Sequence, residues 1–264
     1  MAWVIQKKGI DRYSEYVDQV LRDDAEFLKF RRNRDIRGII DGVTPAAGRS
    51  YLKKIRALDS EWIERRWSDI ALNDLIGCPD RTYFGCGVPM SPVCMRYAWQ
   101  ALEADRRLEL GGKHIVEIGG GYGGLARIIC DLFEPASYSI IDIPSVQSLA
   151  RKYLDRYHLR TPVHMLPTSH RGGSDIVIAN YSLAEFDRSE QRSYLDSIVL
   201  LSKSAYIVHN IPNPSSKQMS RKEFESILRD KFDVDSYEEG VERSEQSRVF
   251  ICASKRIPQP DGSR

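Results

Sequence analysis

The sequence predicts an α/β protein with a doubly wound, mostly parallel sheet, preceded by a helical N-terminal region. Three observations carry that expectation. Residues 112–255 alternate short apolar runs with amphipathic stretches, the pattern of strands separated by helices that cover a parallel sheet. Residues 1–105 place apolar side chains at helical spacing and show no such alternation. The last two strand-like runs, 232–239 and 248–254, are joined by a polar loop containing Gly240. That loop is too short for a crossover, so the pair forms an antiparallel hairpin.

Along the N-terminal region, Tyr13, Tyr16, Val17, Val20, Leu21, Phe27 and Leu28 recur at helical spacing. The basic run Arg31, Arg32, Arg34 and Arg37 then reads as a solvated helix end, with contacts to an anionic substrate as the alternative. Gly42 to Gly48, with Pro45, reads as a break before a helix over 49–67 that presents Leu52, Ile55, Trp62 and Ile63. Residues 77–92 are rich in Gly, Pro and Cys and read as a loop. A helix over 92–105 follows, with Ser91 as its N-cap and Pro92 in its first turn. In the second region strands are expected at 114–118, 137–143, 162–166, 175–180 and 205–211. Helices are expected at 122–133, 145–157, 188–202 and 220–231. The expected organisation is therefore a helical region over 1–105, an α/β domain over 106–255 and a flexible tail over 256–264.

Composition narrows the function classes. Charged residues make up 29% and hydrophobic residues 42%, which describes an ordinary globular protein. A net charge of +2 gives no strong attraction to nucleic acid or to acidic membranes. No apolar run reaches the ~18–20 residues of a transmembrane helix, and the first residues lack the charge order of a signal peptide. A cytoplasmic location is the resulting expectation. Five cysteines, an odd number, agree with a reducing compartment. Cys78, Cys86 and Cys94 lack the close pairing of zinc sites and read as small buried hydrophobes, and no metal is expected.

The most informative segment is Ile-Val-Glu-Ile-Gly-Gly-Gly-Tyr-Gly-Gly at 115–124. A buried strand ends there in a glycine turn whose backbone can approach a ligand closely. Gly119, Gly121 and Gly124 satisfy the G-x-G-x-x-G dinucleotide pattern. Asp142, 21 residues after Gly121, is an acid at the end of the next strand, where either a nicotinamide or an S-adenosyl-L-methionine site uses one on ribose hydroxyls. Glu117, two residues before the turn, repels a pyrophosphate and suits a cofactor that carries a cationic amino group. These features favour S-adenosyl-L-methionine, with a nicotinamide and a ligand-free structural turn as the alternatives.

Val116 to Ala126 resembles the first motif of the bacterial sugar O-methyltransferase family, whose members belong to the class I methyltransferases. The resemblance continues through Tyr138-Ser139-Ile140-Ile141-Asp142-Ile143-Pro144, Leu149-Ala150 and Tyr153-Leu154. It resumes at Asn180-Tyr181-Ser182-Leu183-Ala184-Glu185 and around Tyr194, covering about 83–211. It implies a Rossmann-like class I fold, mostly parallel with an antiparallel last strand, binding S-adenosyl-L-methionine. By that resemblance Gly119, Gly120, Gly121 and Tyr122, with Gly123, line the methionine portion, and Asp142 binds the ribose. Ile143, Leu166 and Pro167 meet the adenine. Asn180 and Tyr181 lie near the amino-acid end. The implied activity is O-methylation of a sugar hydroxyl on a glycan or glycosylated metabolite. The alternatives are a non-sugar acceptor and a non-catalytic S-adenosyl-L-methionine-binding scaffold. The N-terminal region, where the resemblance is loose, is expected to shape the acceptor pocket and to offer a homodimer contact.

An alcohol needs to lose its proton as it attacks, so a base is expected beside the acceptor. His209, at the end of the fifth strand, is the candidate base, with a strand-ending histidine or a substrate ligand as alternatives. Glu185 is the candidate partner that orients it or binds the sugar, with a helix-capping role as alternative. Tyr83, Arg96 and Asn210 are the candidate substrate contacts.

Overall fold

A computed structural model describes residues 13–33, 42–210, 218–241 and 247–254. Arg34, Arg37 and the tail from residue 255 lie outside these residues. Among the described residues, seven strands form a single sheet in the order β3-β2-β1-β4-β5-β7-β6. The strands are β1 (His114–Ile118), β2 (Ser137–Ile141), β3 (Val163–Leu166), β4 (Ile176–Asn180), β5 (Ser204–Asn210), β6 (Phe232–Glu238) and β7 (Ser247–Ser254). The first five pair in parallel, whereas β7 runs antiparallel between β5 and β6. The hairpin read from residues 232–254 is present, and β7 inserts between β6 and β5 so that β6 takes the edge. Strand order reverses at β1, and ligands of open α/β sheets bind at such a switch point, beyond the carboxyl ends of the strands.

Register assigns side chains to the two faces, because neighbours in a parallel pair point the same way. Glu117 pairs with Ile140 and Ile178, and Ile178 pairs with Tyr206. These residues therefore share one face, together with Val208 and Asn210 at the end of β5. Asn180, paired with Val208, shares it too. Ile207 and His209 face the other way.

The first face is covered by helices from both halves of the chain. These are α1 (13–22), α2 (Asp24–Phe27), α3 (Pro45–Ala71), α4 (Pro92–Leu108), α5 (Gly124–Leu132) and α6 (Pro144–Leu154). One apolar cluster runs from Tyr13, Val17 and Phe30 through Trp67 and Trp99 to Ile115, Tyr138, Tyr206 and Ile251, so both regions bury their apolar faces against each other. The second face carries α7 (Arg188–Ser197) and α8 (Arg221–Lys231), which enclose Ile207, Phe224, Leu228 and Phe250.

Two boundaries differ from the sequence reading for local reasons. The helix expected at 49–67 begins at Pro45, because Thr44 caps it by accepting the Ala47 N–H at 3.1 Å and proline is tolerated in a first turn. Gly48 therefore lies inside the helix. A Cβ there would come within 2.9 Å of the Phe84 ring and 3.0 Å of the Pro92 Cβ. Midway along the helix, Asp59 leaves the helical region (φ −161°, ψ 96°) and its side chain accepts the Trp62 N–H at 2.8 Å, restarting the helix after a kink so that it runs on to Ala71. The helix expected at 188–202 ends at Ser197 and is followed by a 3₁₀ turn over Val199–Leu201.

The basic run is not a solvated helix end at Arg31. That guanidinium is 1% exposed and forms a buried ion pair with Asp74 at 2.8 Å, with further bonds to the Asn73 carbonyl and the Ser91 hydroxyl.

Candidate functional site

The glycine turn joins the ends of β1 and β2. The Gly119 N–H donates to the Ile141 carbonyl at 2.8 Å, and the Gly121 N–H donates to an Asp142 carboxylate oxygen at 2.9 Å. Gly119, Gly121 and Gly123 all have positive φ (77°, 56° and 88°), the region side chains disfavour. Gly121 has open space where a Cβ would point, whereas a Cβ on Gly119 would collide with Ser182. The Ser182 hydroxyl in turn donates to the Ile118 carbonyl, which clasps the β4 end against the turn. The sequence reading singled out the Ser-Leu-Ala-Glu segment without this steric reason for its serine.

Two carboxyls flank the turn. Glu117 is 3% exposed and accepts the Tyr138 phenol at 2.9 Å. Burial pushes its pKa up to about 7, opposed by the Tyr138 hydrogen bond and raised further by Asp142. Asp142 receives two backbone N–H groups, from Gly121 at 2.9 Å and from Ile143 at 2.8 Å, and burial pushes its pKa up to about 6 despite them. An ionised carboxylate has about four acceptor positions, so both acids keep capacity for further donors. An acid in a dry site gains most from a cation or from hydroxyls that replace lost water.

Around them the expected residues divide. Ile143 is half-buried beside Asp142, with Leu166 at the end of β3 and Pro167 exposed beyond it. Gln147 Nε2 donates to the Ile140 and Leu166 carbonyls, fixing the β2–β3 rim there. Gly120 packs over Glu117 and Ile140. Tyr122, expected to line the cofactor, instead turns its ring into the core. It is fully buried, edge-on to Phe30 and Tyr153 and beneath the Arg31 guanidinium at 5.1 Å. Only its backbone contributes to the turn.

At the end of β4, Asn180 Nδ2 donates to Gln100 Oε1 at 3.2 Å, and Tyr181 adopts a left-handed φ of 67°. That conformation aims the Tyr181 phenol at Glu239, with its oxygen also in reach of Gln100 and Tyr51. The Arg96 guanidinium lies over the Tyr181 ring, 5.1 Å from its centroid. Gln100, Tyr51 and Glu239 were not among the candidate site residues read from the sequence. They lie on three separate elements, and no local spacing signals them.

His209 and Glu185 are not brought together on one face. The His209 imidazole lies on the face opposite Glu117, 2% exposed, with its ring 4.5 Å from Phe224. Neither ring nitrogen has a hydrogen-bond partner among the described residues. Burial, and secondarily Arg221, lowers its pKa to about 4. A conjugate acid that strong makes a poor base at neutral pH. Glu185 lies on the 3₁₀ turn Ser182–Glu185 with its surface open to solvent. It is recessed in the protein near Asp142, and both effects raise its pKa, desolvation more than charge. Asp187, not Glu185, caps the following helix, in a reciprocal capping box with Glu190.

Asn210 shares the Glu117 face and is half-buried. Tyr83 is 63% exposed, while its neighbour Phe84 is buried against Trp67. From α1, the Tyr13 phenol is buried near Asp142, Tyr97 and Glu185, and its hydroxyl has no partner among the described residues. The Ser14–Ser145 hydrogen bond at 3.0 Å and the Lys152–Asp24 ion pair at 2.8 Å hold that part of the chain along α6. The first described segment of the N-terminal region thus packs beside Asp142. Among the described residues there is no group of three or more His, Cys, Asp or Glu arranged to hold a metal ion. No helix of the described residues is long and apolar enough to cross a membrane.

No protein-family profile matches the chain. No curated protein matches it in sequence. Among solved structures, it is similar to magnesium protoporphyrin IX methyltransferase from Synechocystis PCC 6803, which was solved with bound S-adenosylmethionine. That likeness has 16% identity and a TM-score of 0.48, over 60% of this chain and 76% of that one. The pyocyanin biosynthetic protein PhzM is similar at 16% identity and a TM-score of 0.48, over 62% of this chain and 57% of PhzM. The mitomycin 7-O-methyltransferase MmcR is similar at 18% identity and a TM-score of 0.46, over 62% of this chain and 56% of MmcR. The chain therefore spans little more than half the length of PhzM and of MmcR.

Proposed function

We propose that this protein binds S-adenosyl-L-methionine in the crevice at the ends of β1, β2 and β4 and transfers its methyl group to a hydroxyl of a small acceptor. The observation that carries this reading is the pair of raised-pKa carboxyls, Glu117 and Asp142, on either side of a glycine turn with open space over Gly121. Asp142 suits the two ribose hydroxyls, and its bonds to Gly121 and Ile143 fix it for them. Glu117 suits the amino group, which would supply the positive charge its buried position lacks. A dinucleotide would bring its pyrophosphate to the turn, towards Glu117, and two anions there repel.

When bound, the cofactor supplies an electrophilic methyl on a sulfonium. The protein's part is then to place the acceptor in line and to take its proton. Glu185 fits the second task better than His209, because it opens on the crevice and its raised pKa brings it closer to neutrality. A sugar as acceptor is supported by the sequence resemblance of the Asp142-Ile143-Pro144 and Ser182 to Glu185 segments. Arg96, Asn180 and Asn210 are the polar groups on the acceptor side.

Isothermal titration with S-adenosyl-L-methionine, S-adenosylhomocysteine and NAD tests the cofactor. Micromolar binding of the first two and none of NAD is expected; binding of NAD alone would overturn the reading. Incubation with labelled S-adenosyl-L-methionine and a sugar-glycoside panel tests the transfer. Cofactor binding without turnover of any acceptor would favour a scaffold.

A further inference from the structure

We infer that Glu239 and Asn180 form a subsite that receives two hydroxyl groups of the methyl acceptor. This rests on the methyl-transfer reading of the crevice and names the chemistry of its acceptor end. Glu239 directly follows β6 and is fully buried. Its Oε1 accepts phenol protons from Tyr51 at 2.7 Å and from Tyr181 at 2.6 Å. Its Oε2 is buried and has no partner among the described residues.

The polarity of the network follows from that carboxylate. A carboxylate only accepts, so the Tyr181 hydroxyl spends its proton on Glu239 and receives from Gln100 Nε2 at 3.3 Å. Gln100 therefore turns Oε1 toward Asn180, which donates through Nδ2 at 3.2 Å. Asn180 is left with Oδ1, also buried and also without a partner among the described residues. The chain of three hydrogen bonds thus ends in a bare acceptor at each side. Buried acceptors in folded proteins are almost always paired, so both call for donors from outside the chain.

The charge balance selects the class of donor. The buried Arg96 guanidinium stays protonated, and the oxygens of Tyr181, Tyr97 and Tyr51 and the Glu239 carboxylate lie close enough to oppose its desolvation. Arg96 therefore offsets the Glu239 charge, and what the subsite lacks is hydrogen-bond donors, not a cation. A neutral polyol, with one proton on each of two hydroxyls, meets that need; an ammonium group would bring uncompensated charge. Asn180 shares the sheet face of Glu117, so the subsite adjoins the cofactor crevice.

Glu239→Gln tests this. The new amide oxygen can still accept the tyrosine protons, while its NH₂ puts a donor where the acceptor stood. Saturation-transfer NMR of methyl α-D-mannopyranoside, its 2-deoxy analogue and D-glucosamine is measured on protein saturated with S-adenosylhomocysteine. The wild type is expected to bind the mannoside over the other two. The variant should lose that binding about tenfold, while S-adenosylhomocysteine affinity stays within about twofold. Glu239→Asp, which keeps both oxygens but retracts them, should fall between and serves if the Gln variant does not fold. Equal mannoside binding by wild type and variants, no pyranoside binding by the wild type, or preference for glucosamine would each overturn the inference. So would a crystal structure with mannoside bound in which ordered waters still occupy both acceptors. Failure of the wild type to bind S-adenosylhomocysteine would instead overturn the methyl-transfer reading. The pyranoside comparison, repeated without it, still decides the role of Glu239.

Discussion

Glu117 holds a conflict between stability and function in one side chain. Its folded pKa of about 7 lies above the ordinary 4.5, so between those values the folded state binds its proton more tightly than the unfolded state. Stability is full below pH 4.5 and falls as the pH rises through 7, by about 3 kcal/mol for the buried group. Glu117→Gln, which can still accept the Tyr138 phenol, should therefore raise the urea midpoint at pH 8 and leave it nearly unchanged at pH 4.5. Cofactor binding should move the opposite way. A cationic amino group lowers the pKa of the carboxyl it meets, so affinity for S-adenosyl-L-methionine should weaken as pH drops below about 7 in the wild type. In the Gln variant that pH dependence should largely disappear and affinity should fall, roughly 10–100-fold for a lost ion pair; titration calorimetry at several pH values reads both. His209 makes a contrasting case. With both ring nitrogens unpartnered and the ring against Phe224, His209→Leu should keep turnover within about threefold and leave stability equal or higher. A loss of turnover by two orders of magnitude with intact folding would restore it as the base.

At the scale of elements, the turn after β1 works because three segments meet there. Gly119→Ala would push a Cβ into Ser182 and force a side chain into a left-handed backbone, at about 1–3 kcal/mol for the backbone alone. We expect a loss of S-adenosyl-L-methionine binding greater than the loss of stability. Adding Ser182→Gly should recover only part of it, since space returns but φ does not change; full recovery would show that the collision alone mattered. This turn was legible in the sequence because a glycine cluster after an apolar run reports its own geometry. So were the strand positions, since β1 and the hairpin follow from apolar runs and loop length. Tyr122 was not legible: the motif places it in the turn, but its ring direction depends on Phe30 and Tyr153, which come from segments far away in sequence. His209 failed for a related reason. Its position at a strand end was correct, but one step of the pleat decides the face it points to.

The whole molecule is tied together by buried polar pairs between distant segments. Within the N-terminal region Arg31 ties its own segment to Asp74 and Ser91, and Tyr51 reaches across to Glu239. Arg31→Ala would leave Asp74 buried and without its cation, which costs about 3–5 kcal/mol. We expect a urea midpoint lowered accordingly, with S-adenosyl-L-methionine affinity reduced less at temperatures where the protein stays folded. An equal loss in both would mean that the ion pair also shapes the crevice. By itself the sequence determined the strands, the hairpin and the glycine turn with its two acids, because each is written in residues close along the chain. The tertiary structure alone decided which side chains face the crevice and which join the core. It also assembled Tyr51, Gln100, Tyr181 and Glu239 into one network. Those outcomes depend on sheet order, pleat and packing between remote elements, and such contacts leave no local pattern to read.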